Sequence, residues 1–300
     1  MQPTHSPNAP QPITLGQCFR GSWLDTGRAI RAMPMLFVIA FVLVCLTIAG
    51  SSAFLDTPEA AVALTAPGGA LGSHASVSKS LTLIAIEFVQ WVVLAVLAVQ
   101  VIRFAMAASA DTGADTQAIQ TAQAHGQVPA MRLWDAGVRR YLVLCVVMAA
   151  AYVAMAVGVV LVVLVLRLVG VSGGSSYAAS ATLAVLGLCG MSYIWARLSL
   201  LFPHTAAGGQ LRWRAAWNDS RSHFWMIATT AVVVILPVMA ITTVISVMAE
   251  LMGTSESPGA VTYGVLIIQS VATLLYAATT ATCSVWLYRR FAAQLVRTAD

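Results

Sequence analysis

The organising stretch of this chain is Leu211-Arg-Trp-Arg-Ala-Ala-Trp-Asn-Asp-Ser-Arg-Ser-His-Phe-Trp225, which is short and basic and runs directly into a long apolar segment. Weaker copies of its order of tryptophan, carboxylate and arginine surround Trp23 and Trp134. Each copy stands before an apolar segment of its own. The three copies therefore divide the chain into three similar units.

The composition determines the class of protein. Of 300 residues, 59% are hydrophobic and only 9% are charged, whereas soluble domains contain about 25% charged residues. Lipid must therefore cover most of the surface. Of the 16 basic residues, 15 are arginines, and they stand beside apolar runs. This pattern is typical of membrane topology and does not indicate a nucleic-acid-binding face.

Six apolar segments follow one another along the chain, and each is long enough to cross the roughly 30 Å of a bilayer core. They cover approximately residues 33–55, 81–106, 141–169, 178–202, 225–252 and 261–288. Only helices satisfy all backbone polar groups within such a single segment. We therefore predict an all-α membrane protein with six transmembrane helices.

The N-terminal region has two parts. Residues 1–13 are polar and contain four prolines, which predicts a disordered tail. Thr14 with Gln17 three residues later forms a capping box, which predicts that a helix begins there. Its apolar residues, including Trp23, fall on or near one face, while Arg20 and Arg28 face away, as in an amphipathic helix at a membrane surface. Residues 14–300 are expected to form one membrane domain.

A secretory signal is the alternative interpretation of the first apolar segment. The stretch Ala49-Gly-Ser-Ser-Ala53 resembles a signal-peptidase site after an apolar run. The region before that segment is about 32 residues long and is itself patterned as a helix, so we favour an uncleaved span.

The distribution of basic residues predicts the orientation. The N-terminal segment, the connections after the second and fourth spans and the C-terminal tail contain 14 of the 16 basic residues. The opposite side has only Lys79 and Arg167. By the positive-inside rule, both termini are cytoplasmic and the protein is a multi-pass protein of a bacterial inner membrane.

A parallel threefold repeat follows from these assignments, with units of about 14–106, 129–202 and 209–291. Each unit would contain a cytoplasmic amphipathic surface helix, a span outward and a span back, forming three parallel-repeat hairpins. The returning spans end around Arg103, Arg197 and Arg289. The aspartate and arginine of a surface helix could pair with each other or with a neighbouring unit. The alternative is that any cytoplasmic membrane boundary collects tryptophan and arginine.

The run Arg214-Ala-Ala-Trp217-Asn-Asp-Ser220-Arg-Ser-His-Phe-Trp225, following a span that ends in Leu-Phe-Pro203, resembles a pattern of bacterial six-span inner-membrane proteins of unknown function. It is also similar to the membrane domain that precedes the catalytic domain of some glycerophosphodiester phosphodiesterases. The resemblance implies a bundle of three such units with no established activity. Because the chain ends about 12 residues after the last predicted span, we expect no phosphodiesterase domain.

Polar residues inside the predicted spans are candidates for function. Glu87 lies roughly 9 Å into the second span at 1.5 Å per residue, and it could carry a proton or a coupling ion. The alternative is an ion pair with Arg167 or Lys79 near the external surface. The candidate intramembrane polar site consists of Glu87, Gln90, Gln100 and Gln269.

Arginines and tryptophans of the surface helices are candidates for contacts with anionic lipid headgroups, since indole rings prefer the headgroup zone and arginines pair with phosphate. This set comprises Arg20, Trp23, Arg28, Arg132, Trp134, Arg212, Arg214, Trp217 and Arg221. Membrane lipids are thus the expected partners, and the sequence does not indicate a protein partner.

Motifs of soluble enzymes are missing from the sequence, including the P-loop, G-x-S-x-G, H-E-x-x-H and G-x-G-x-x-G. The five cysteines are widely spaced and suggest neither disulfides nor a metal site. We therefore expect a non-catalytic protein without a cofactor, acting in envelope or lipid homeostasis or as a membrane partner. The alternative is a small-solute or ion transporter or channel that uses Glu87 and the polar residues of the second span.

Overall fold

The computed structural model describes residues 14–55, 74–110, 135–168, 174–221, 223–252 and 258–292. Within these ranges the chain forms nine helices and no strand. The helices are α1 (Leu15–Ala32), α2 (Pro34–Leu55), α3 (His74–Ala110), α4 (Ala136–Leu168), α5 (Gly174–Leu198), α6 (Leu201–Ala206), α7 (Trp213–Arg221), α8 (Phe224–Met252) and α9 (Pro258–Phe291).

Six of these helices, α2, α3, α4, α5, α8 and α9, are long and apolar enough to cross a membrane. They coincide with the six predicted spans, so the prediction of an all-α six-span protein is confirmed. Consecutive spans pack against each other as α2 with α3, α4 with α5, and α8 with α9. Helix α9 also packs on α1, α2 and α3, and its span is the most buried of the six.

Helix α1 begins where the capping box predicts. The Thr14 backbone N–H donates to Gln17 Oε1 at 2.8 Å, and the Gln17 N–H donates to Thr14 Oγ1 at 3.4 Å. The helix ends at Ala32, and the backbone of the capping residue Met33 is not helical. Pro34 then begins α2, at the first helical position where proline is best tolerated because no intrahelical donor is needed there.

The fourth span ends earlier than predicted. Helix α5 stops at Leu198, and α6 follows after a two-residue turn. Leu200 and Leu201 are fully buried, because α6 folds back against α4, α3 and α9 instead of continuing along the lipid. The prediction that this span extends to residue 202 is therefore wrong, since hydropathy alone does not separate lipid-facing from protein-facing leucines.

The helices pack most closely at one end of the bundle. We call it the basic end, and it contains Arg103, Arg140, Arg197 and Arg289. The two clusters of buried apolar residues join α1, α6 and α7 with the adjoining halves of the spans. Towards the other end, side chains such as Val160, Leu186 and Val244 are more than half exposed. Such surfaces require lipid around them.

The predicted disordered tail 1–13 falls outside the described residues, and so do Arg132 and Trp134 of the second repeat unit. Two separate short helices, α1 and α7, lie at the basic end before the first and third span pairs. Before the second pair, the described chain begins at Asp135, directly at the start of α4. The threefold repeat therefore stays a prediction.

Candidate functional site

Arg103, in the last turns of α3, connects three segments at the basic end. Its Nη2 donates to both carboxylate oxygens of Asp135 at 2.7 Å, and its Nε donates to the Ala206 carbonyl oxygen at 2.9 Å. Asp135 also caps α4 by accepting from the Val138 N–H at 2.9 Å. The hydrogen bond from Arg103 is the main cause that lowers the pKa of Asp135 below its usual value, with the Val138 N–H adding to it.

Helix α1 is held against α9 by small and polar side chains. Thr282 Oγ1 donates to the Ser22 carbonyl oxygen at 3.0 Å and lies 2.9 Å from Thr26 Oγ1. Next to them, Trp286 Nε1 donates to Asp25 Oδ2 at 2.9 Å. The buried face of α1 is therefore Cys18, Ser22, Thr26 and Ala29. Because these side chains are small, the two helices approach closely, so one face of α1 packs on protein.

Arg197 is the most buried arginine of the basic end, with only 6% of its surface exposed. Its Cζ lies 4.9, 5.1 and 5.8 Å from the ring centres of Tyr193, Trp217 and Phe224. Nη2 donates to the Tyr193 hydroxyl at 2.6 Å, and Nη1 donates to the Trp217 carbonyl oxygen at 3.4 Å. Each cation–π contact contributes about 0.5–2 kcal/mol, whereas removing one ion from water costs on the order of several kcal/mol. The aromatic rings alone therefore do not compensate this charge.

His204 of α6 and Arg140 of α4 make further contacts at the basic end. His204 Nδ1 lies 3.0 Å from the Tyr288 hydroxyl, and Arg140 Nη1 donates to the Gly208 carbonyl oxygen at 2.8 Å. Burial lowers the pKa of His204, and the nearby charge of Arg212 lowers it further. Neutral histidine is therefore the form that the folded protein favours at this position.

Together these contacts link each span pair to the next. The end of α3 binds the start of α4 through Arg103, and the end of α5 binds α7 through Arg197. The end of α9 binds α1 through Trp286, and Arg289 of α9 donates to the Ala105 carbonyl oxygen of α3. The last pair is thus joined back to the first. These hydrogen bonds between span pairs hold the helices together at the basic end.

The four predicted intramembrane residues do not form one cluster. Glu87 and Gln269 are exposed on the outside of the bundle. Gln90 accepts a hydrogen bond from Thr47 Oγ1 at 3.2 Å. Gln100 is buried, and its Nε2 has no partner within the described part of the chain. Since 13 residues of helix separate Glu87 from Gln100, they lie about 20 Å apart along the axis.

The predicted lipid-contact residues that the structure describes divide into two groups. Arg20, Trp217 and the arginines at positions 214 and 221 are exposed, and Arg212 is half-buried. Arg28 pairs with Asp25 at 3.3 Å, although its side chain is 68% exposed. Trp23 is half-buried and packs against Phe19. Arg132 and Trp134 lie outside the described residues.

Four residues that connect the helices of the basic end were not among the predicted site residues. Arg103, Asp135, Arg197 and Trp286 all stand at span ends, where the sequence shows an arginine or tryptophan but not whether it meets lipid or protein. The signal available was the position of Arg103 and Arg197 inside apolar surroundings, one turn before the span ends. A charge at such a depth needs a partner.

No family model, curated protein or solved structure matches this chain.

Proposed function

We propose that this chain is a non-catalytic polytopic protein of the bacterial inner membrane that acts through its basic end, at the surface of anionic lipids, in envelope or lipid homeostasis or as a membrane partner. One observation carries the proposal. The basic end uses buried polar groups to hold its helices together and still exposes Arg20, Arg214 and Arg221. Exposed arginines beside apolar spans are suited to lipid phosphates.

The proposed orientation follows from the charge distribution of the whole chain. Because 14 of its 16 basic residues lie in the N-terminal segment, the connections after the second and fourth spans and the C-terminal tail, the positive-inside rule puts the basic end and both termini in the cytoplasm. The cytoplasmic leaflet is also the one that presents anionic lipids to such a surface. The resemblance to six-span membrane proteins of unknown function stays a prediction.

The same geometry gives less support to the alternative, a transporter or channel. A pathway needs polar groups that face one another along the bundle interior. Glu87 and Gln269 instead lie on the outer surface, and Gln100 is about one-half of a span away from Glu87. A proton-flux assay in liposomes separates the two functions. We expect the wild type and Glu87→Gln to show the same proton flux as empty liposomes. A wild-type flux above that background that Glu87→Gln abolishes would favour the transporter.

Lipid enrichment around the protein tests the proposed function directly. The variant Arg20→Gln/Arg212→Gln/Arg214→Gln removes three charges whose side chains form no hydrogen bond or ion pair in the described structure, although Arg212 lies near His204. The lipids extracted with the protein in polymer-bounded discs are then quantified. Because each arginine near an anionic surface contributes about 1 kcal/mol, we expect the excess of phosphatidylglycerol over zwitterionic lipid to fall strongly.

The matched control replaces the same three arginines with lysine, which keeps the charge. We expect this control to retain the wild-type lipid composition. Equal enrichment in the wild type and the glutamine variant would contradict the proposal.

A further inference from the structure

Arg197 is a buried cation that has no counter-ion among the residues that the structure describes. Within the described ranges, no carboxylate lies within ion-pair distance of its guanidinium, and its Nε has no hydrogen-bond partner. Three aromatic rings cover the faces of the group, and Tyr193 and Trp217 accept from its two terminal nitrogens. The buried Nε–H is therefore an unsatisfied donor within the described ranges.

Arg103 provides the comparison within the same molecule. It too stands near the end of a returning span, yet its Nη2 contacts both carboxylate oxygens of Asp135. Arginine remains charged in proteins, and a buried charge is normally compensated by an opposite charge. Arg103 has that compensation from Asp135, whereas no described carboxylate provides it for Arg197. An external anion would complete the second site in the way that Asp135 completes the first.

A groove of about 680 Å³ opens beside Arg197, between α5 and the start of α8. The exposed Arg221 stands at its edge, and Cys189, Tyr193 and Met226 form part of its apolar wall. The first turn of α8 borders the groove, and backbone N–H groups at such a helix start lack intrahelical acceptors. The groove thus combines donors for an anion with an apolar wall.

The apolar wall belongs to the membrane-crossing parts of α5 and α8. The candidate spans cover Ala181–Leu198 and Phe224–Met248, and they contain Cys189 and Met226. From Arg197, the wall extends eight residues along α5 to Cys189, about 12 Å at the helical rise. A soluble phosphate has no use for such a wall, whereas an acyl chain would cover it.

We propose that this groove binds one anionic glycerophospholipid, whose phosphate contacts Arg197 and Arg221 and whose acyl chain lies along Cys189, Tyr193 and Met226. This inference rests on the proposed function, because both take lipid as the ligand of the basic end. It adds a defined site to what is otherwise a diffuse contact between exposed arginines and the bilayer.

Native mass spectrometry of the full chain in an uncharged detergent tests this site. Phosphatidylglycerol is titrated against phosphatidylcholine with the same acyl chains and against glycerol 3-phosphate. We expect one phosphatidylglycerol per chain to bind at least about tenfold more tightly than further copies, the ratio that 1.4 kcal/mol provides. Comparable binding of glycerol 3-phosphate would overturn the assignment to lipid.

Two variants examine the two parts of the groove. Arg197→Gln removes the cation, and Cys189→Trp fills the apolar wall while leaving every charge in place. Both should weaken the first phosphatidylglycerol by about tenfold or more. Leu186→Trp is the matched control, because Leu186 is also exposed on α5 but does not line the groove. Unchanged binding in Cys189→Trp overturns the proposal even if Arg197→Gln fails to fold.

The two proposals fail in different ways. Arg20, Arg212 and Arg214 do not line this groove, so their triple glutamine variant should keep the single tight lipid and lose only the general enrichment. If general enrichment depends on those arginines but no tight lipid depends on Arg197 or Cys189, the site is refuted and the proposed function stands. If none of the variants changes lipid binding, both are refuted.

Discussion

Replacing Asp135 with asparagine tests whether the ion pair to Arg103 stabilises the basic end. Asparagine is nearly isosteric and is as good an N-cap as aspartate, so the hydrogen bond from the Val138 N–H survives. The change therefore removes the negative charge that Arg103 contacts through two 2.7 Å distances. Almost nothing else at the start of α4 is altered.

The expected magnitude follows from the geometry and the exposure. Hydrogen bonds to charged groups contribute about 1.5–3 kcal/mol in proteins. The two side chains are 25% and 33% exposed, and water at that exposure weakens an ion pair. We therefore expect Asp135→Asn to lower the free energy of unfolding by about 1–2 kcal/mol. Asp135→Ala also loses the cap and should cost about 1 kcal/mol more.

Reversible unfolding by sodium dodecyl sulfate in mixed micelles, followed by circular dichroism, measures these differences. A double-mutant cycle with Arg103→Gln isolates the coupling between the two side chains. We expect a coupling energy of about 1–2 kcal/mol. A coupling below about 0.5 kcal/mol, or an asparagine variant as stable as the wild type, would refute the argument, because contacting partners normally exceed that value.

Three further predictions concern the same end of the bundle. In Gly21→Ala, the new Cβ would lie 2.3 Å from the Trp286 ring, so thermal unfolding in detergent should occur at a lower temperature. Gly16→Ala is the control, because its Cβ would meet nothing within 4 Å, and it should leave the unfolding temperature unchanged. Gly208 has a φ of +93°, a conformation that costs a residue with a Cβ about 1–2 kcal/mol. Gly208→Ala should therefore be destabilised in the same unfolding assay, and Gly208→Asn should lose less stability because asparagine tolerates positive φ better. Because the folded pKa of His204 lies below its ordinary value of 6.5, the unfolded chain binds the proton more readily, so stability is complete above about pH 6.5 and falls as the pH drops below it. His204→Gln should flatten this pH dependence between about pH 7.5 and 5, and an unchanged slope would contradict the assignment to His204.

Much of the architecture could be predicted from the sequence because it depends on local properties. A helix crosses a bilayer when its own apolar run is long enough, so the six spans follow from segment length and hydropathy. The start of α1 follows from Thr14 and Gln17, which are three residues apart and satisfy each other. No knowledge of neighbouring helices is needed for either conclusion.

The roles of individual polar residues could not be predicted in this way, because they depend on partners that are distant along the chain. Thr26 and Thr282 are 256 residues apart, and Asp25 and Trp286 are 261 residues apart. The sequence shows Arg103 and Arg197 alike at the ends of returning spans. Only the packing of the helices decides that Arg103 meets the carboxylate of Asp135, while Arg197 is enclosed by aromatic rings beside an open groove.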